Sequence, residues 1–178
     1  MHPKVLAVIA AVATKYSAFS PEDVEKLIAG LVFGLIAKDD LTKIETCLQD
    51  AQGLEAEVQD AITDFMKGDI QDIIAGVELV GKIIQELPTD LGDCKDMQDD
   101  LNRIEAWAAI FSDPTLLVKT LIGNVIQNFS AIEGDITKTS QDIASGDMYN
   151  TGVDIADIMV LALGAVPAGP EDIIFTMW

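Results

Sequence analysis

Apolar residues recur along this chain three and four positions apart, the spacing that lines one face of a helix, and strand-like alternation is absent. The first such face is Val24, Leu27, Ile28, Leu31, Val32 and Leu35. Ser20-Pro21-Glu22-Asp23 announces it: a serine able to cap, a proline suited to the first helical position, and acids at the positive end of the helix dipole. This helix is expected to stop near Lys38. A second, from Leu41 with Asp40 as cap, carries Ile44, Leu48, Leu54, Val58, Ile62, Phe65 and Met66 inward, with a less regular stretch around Gly53. Lys67-Gly68-Asp69 ends it, because glycine accepts the left-handed conformation that closes a helix and Asp69 can cap the next. The third face is Ile70, Ile73, Ile74, Val77, Val80, Ile84 and Leu87, closed by Pro88. A fourth helix runs from about Asp96 to Phe111, with Met97, Leu101, Ile104, Trp107, Ala108 and Phe111 inward. Asp113-Pro114 opens a long fifth helix, whose inward set includes Leu117, Leu121, Ile122, Val125, Ile126, Phe129, Ile132, Ile136 and Ile143. Ser145-Gly146-Asp147 ends it, and a sixth helix with Val153, Ile155, Ile158, Met159, Leu161 and Ala162 inward closes before Pro167.

The halves of this pattern resemble each other. Shifting the chain by 78 residues lays Gln49 on Gln127, Leu54 on Ile132, Glu55 on Glu133, Val58 on Ile136, Asp64 on Asp142 and Gly68-Asp69 on Gly146-Asp147. Gly76-Val77-Glu78-Leu79 then matches Gly152-Val153-Asp154-Ile155 at a shift of 76. The expected fold is therefore all-α: a six-helix bundle made by pseudo-twofold duplication of a three-helix unit, with units at 20–88 and 96–167 inside one domain, 19–167. Gly76 and Gly152 are expected to bring the third and sixth helices close together near the axis, since glycine inside a helix costs about 1 kcal/mol unless something is gained.

Charge narrows the partners. Eleven Lys and Arg stand against thirty Asp and Glu, a net charge of −19. Such a surface repels nucleic acid and anionic membranes and favours a cationic partner or a divalent cation. At the N-terminus, His2 and Lys4 precede the apolar run Val5 to Ala13, so residues 1–18 read either as a secretory signal or as a buried N-terminal helix, too short to span a membrane. Secretion decides the reading of Cys47 and Cys94 as well: outside the cell an even count suggests one disulfide, closing a loop of about 46 residues, and inside it two thiols. Asn128-Phe129-Ser130 is a formal N-glycosylation triplet within a helical pattern. After Pro167, residues 168–178 form an apolar tail with Ile173, Ile174, Phe175, Met177 and Trp178, which is expected to dock on its own bundle or on a neighbouring copy.

Several landmarks together resemble a known group. Gly68-Asp69, Gly76-Val77-Glu78-Leu79-Val80-Gly81, Glu86-Leu87-Pro88, Cys94, Met97-Gln98-Asp99-Asp100, Ile104-Glu105-Ala106-Trp107, Gly146-Asp147-Met148-Tyr149 and Ile155-Ala156-Asp157 look like those of small secreted proteins abundant in ciliated protists. The resemblance spans about residues 20–165 and implies the helical fold, secretion and pairing of Cys47 with Cys94. It implies no activity, and the segment after Pro167 departs from it.

Chemistry is sparse. Histidine occurs once, at His2, and arginine once, at Arg103. No nucleophile elbow, phosphate loop or Cys/His metal spacing is present, so no catalytic residue, cofactor or metal ligand is assigned. Asp96, Asp99, Asp100 and Glu105 cluster at the start of the fourth helix without the spacing of a calcium loop. The expected function is that of a non-enzymatic, secreted structural or interaction protein, self-assembling through its tail as a homo-oligomer. The alternative is a carrier that holds a small apolar ligand or lipid within the bundle.

Overall fold

The computed structural model describes residues 19–48 and 51–169, and among them all regular structure is helical. Helix α1 (Pro21–Ile36) begins as its sequence requires. The Asp23 amide donates to Ser20 Oγ at 3.1 Å, and the Ser20 amide donates back to Asp23 Oδ2 at 3.0 Å. There follow α2 (Leu41–Cys47), α3 (Ala51–Lys67) and α4 (Ile70–Asp90). A 3₁₀ turn (Lys95–Met97) leads into α5 (Gln98–Ala108), and a second one (Ala109–Ser112) into α6 (Pro114–Gln127), α7 (Phe129–Ser145) and α8 (Met148–Leu163).

The all-α bundle stands, but where six helices were expected the described residues form eight. The second ends at Cys47, where Leu48 turns extended, and α3 is a separate element from Ala51. The fifth breaks at Asn128, where no glycine or proline marks a break. Asn128 Nδ2 donates to the Leu161 carbonyl at 3.1 Å, and Asn124 Nδ2 donates to that of Ala162 at 2.9 Å. These bonds fasten the end of α6 to the end of α8, and α7 starts afresh from there. Pro88 does not close α4. It sits in the last turn, forfeits one backbone bond, and the helix ends at Asp90.

Helix α1 is the centre of the fold. Nine of its sixteen residues are buried, on all sides of the helix, as expected of an element enclosed by others. It packs against α2, α3, α5 and, most extensively, α8. The crossing with α8 is set by small residues. A Cβ added at Gly30 would stand on the carbonyl oxygen of Tyr149, and one added at Gly152 would stand on that of Leu27, 2.7 Å from the Leu31 nitrogen. Gly34 faces Ala156 in the same way one turn on. The close partner of Gly152 is therefore α1. Gly76 serves another contact: the ring of Phe65 on α3 lies where its side chain would be. The expected meeting of the third and sixth helices at these two glycines is thus corrected.

The likeness of the halves is visible in the hairpins α3–α4 and α7–α8. Helices α3 and α7 each have 17 residues. Each ends at a glycine in the left-handed region, Gly68 at φ 76° and Gly146 at φ 78°. Around them the chain is asymmetric, because α1 lies against both α3 and α8.

Candidate interaction face

Cys47, the last residue of α2, is bonded to Cys94 in the turn before α5, with their Cα atoms 5.6 Å apart. Only Ile44 of α2 is fully buried, so the bridge anchors a helix that packing alone holds weakly. Beside it lies an open hollow of about 460 Å³ lined by Thr42, Lys43, Thr46, Asp93, Lys95 and Asp96.

The acidic start of α5 has a structural use. Asp100 is buried, accepts from Lys38 Nζ at 2.9 Å, and lies 3.6 Å from Arg103. Arg103 in turn donates through Nε and Nη2 to the Pro167 carbonyl, and Trp107 Nε1 donates to that of Gly164. Together with Asn124 and Asn128, these donors satisfy carbonyls at and just past the end of α8. Asn128 of the glycosylation triplet thus has its amide nitrogen engaged with Leu161.

Between α7 and α8 lies a second acidic group. Lys138 donates to the buried Asp135 at 2.9 Å. Asp154 is buried on α8, hydrogen-bonds to Asp142 on α7, and leaves Oδ2 buried without a partner. Burial first, then the bond to Asp142 and its negative charge, push the Asp154 carboxyl from 3.8 up to about 7. Burial and Asp135 raise Asp157 as well. Among the described residues no three histidine, cysteine or acidic side chains are placed to hold a metal ion. The folded state keeps a proton on Asp154 that the unfolded chain releases near its ordinary value. The contribution of Asp154 to stability should therefore be full at acid pH and be lost as pH rises from about 4 through about 7. Asp154→Asn should flatten that fall, as read by thermal melts at about pH 5.5 and about pH 8. An unchanged slope would assign it to other carboxylates.

The most unusual surface is on α6. The chain turns by 98° between Lys95–Ser112 and Pro114–Gln127. Helix α6 then buries only one row, Leu117, Leu121 and Val125. Its remaining apolar residues face outward: Leu116 is 50% exposed, Val118 46%, Ile122 46% and Ile126 58%. Ile122 and Ile126 were expected inward, and their exposure is a correction. The helix carries more apolar positions than its neighbours cover. No acidic residue lies between Asp113 and Glu133, and Lys119 is the one charge on the helix. An acid-free, largely apolar face of this kind, with Lys119 as its one charge, has on a strongly acidic chain the composition of a contact surface.

The expected signal or helix at 1–18, and the tail residues Ile173, Ile174, Phe175, Met177 and Trp178, lie outside the described residues. Among those described, no single helix is long and apolar enough to cross a membrane. No curated protein and no solved structure matches the chain. A family described as Secreted protein B-like (SctB-like) matches residues 9–163, from before α1 to the last residue of α8. With that match embracing every helix described above, the chain belongs to the Secreted protein B-like family.

Proposed function

We propose that this protein is a secreted, non-enzymatic interaction protein that works by apolar contact through α6. The observation that carries this reading is the exposed, acid-free row Val118, Ile122 and Ile126 with Leu116 beside it. The family supports secretion. The narrower likeness to secreted proteins of ciliated protists, and the tail as a second apolar element for self-assembly, belong to the same proposal. The competing reading, a carrier of an apolar ligand, needs room inside the bundle. Two glycines of α4 that could open such room are filled by the rings of Phe65, at Gly76, and Phe111, at Gly81.

Carbene footprinting of the dilute full chain tests the proposal. Strong labelling of Ile122 and Ile126 is expected. If these residues stay protected at every dilution, the face is covered by the chain's own residues and is no contact surface.

A further inference from the structure

We infer that the α6 face is occupied by α6 of a second copy of this chain, in a weak twofold dimer. The inference rests on the reading of α6 as a contact surface and names its occupant.

Electrostatics sets where two copies can meet, and shape argues for a copy as the partner. Two copies each carrying −19 repel one another over most approaches. The acid-free stretch between Asp113 and Glu133 supplies the exposed face on which they can meet without opposing carboxylates. The shape of the face suits a copy of itself. Val118, Ile122 and Ile126, four residues apart, form one ridge along the helix. Gly123 leaves a notch beside that ridge, and nothing lies within 4 Å of the position its Cβ would take. Unlike Gly30 and Gly152, it has no close partner among the described residues. An exposed glycine in mid-helix weakens the helix by about 1 kcal/mol, and close approach of a second backbone would offset that loss. A ridge beside a notch is self-complementary under a twofold axis, where each ridge enters the other's notch.

Size sets the strength. A helix of 14 residues is about 21 Å long, and one face of it falls short of the roughly 800 Å² per partner of a standard interface. The dimer should therefore form only as concentration rises.

Sedimentation velocity and carbene footprinting of the full chain over a concentration series test this. Labelling of Ile122 and Ile126 should fall as dimer appears. Ile122→Glu and Gly123→Leu should each weaken association at least about tenfold, since one buries a charge and the other fills the notch. Both should keep the wild-type helical spectrum, because both positions are open to solvent. A chain lacking residues 168–178 should dimerise as before. The inference is overturned if the wild type stays monomeric with α6 labelled throughout, while α6 remains a free contact surface for another partner. It is equally overturned if phosphatidylcholine vesicles but not concentration protect α6, or if removing the tail alone abolishes the dimer. Protection of α6 at all dilutions would sink the contact-surface reading along with it.

Discussion

Gly152→Ala should remove a large part of the protein's stability, while Gly123→Ala should make it more stable. Both glycines lie in mid-helix, and alanine favours helix over glycine by about 1 kcal/mol at either. The difference is what a methyl group would meet. At Gly152 it meets the backbone of α1, the Leu27 carbonyl and the Leu31 nitrogen, and neither can swing aside as a side chain would. The two helices would have to separate along their crossing, pulling Gly34 from Ala156 and loosening the core around Leu31 and Ile155. Overpacking of this kind should cost about 3 kcal/mol or more, a large part of the stability of a domain this size. At Gly123 the methyl meets solvent. Urea denaturation of both variants measures the contrast, with Gly123→Ala read at a concentration low enough for monomer. Equal midpoints for the two would refute the crossing geometry.

The double variant Cys47→Ala, Cys94→Ala should lose about 2–5 kcal/mol, close to the loop-entropy value of about 4 kcal/mol for this separation. The loss should appear first in α2, whose 7 residues bury a single side chain, Ile44, completely. Amide exchange of residues 41–47 should therefore speed up by more than that of α4 or α8. Reducing the wild-type protein should reproduce the effect. A variant as stable as the wild type would mean that packing, and not the bridge, holds α2 in place.

What the sequence made legible was local. Ser20-Pro21 and Asp113-Pro114 announced α1 and α6 because a cap and a proline at the first helical position act within one turn. Gly68 and Gly146 ended α3 and α7 for an equally local reason. What stayed hidden depends on distant residues. The break at Asn128 is made by a carbonyl 33 residues further on, at Leu161. Ile122 and Ile126 have the spacing of a buried face, and only the number of neighbouring helices leaves them exposed. Gly152 promised a close crossing but not its partner. The raised carboxyl of Asp154 follows from burial against Asp142, and thirty acids give no hint which two will meet. A duplicated hairpin remains our proposal for the likeness of α3–α4 to α7–α8. Residues 9–163, which show the family, include both hairpins.

The central place of α1 also has a consequence for how the chain is made. Its main partner, α8, begins roughly 110 residues after α1 ends, so at ordinary rates of synthesis α1 waits about 5–20 seconds for the surface that will cover it. The Cys47–Cys94 bridge can close within that interval, before α8 exists. For a protein of a secreted family, the first of the described helices to pass toward export is the one least able to stay bare in water. A holding chaperone or export factor that recognises uncovered apolar helix would find its target at Pro21–Ile36.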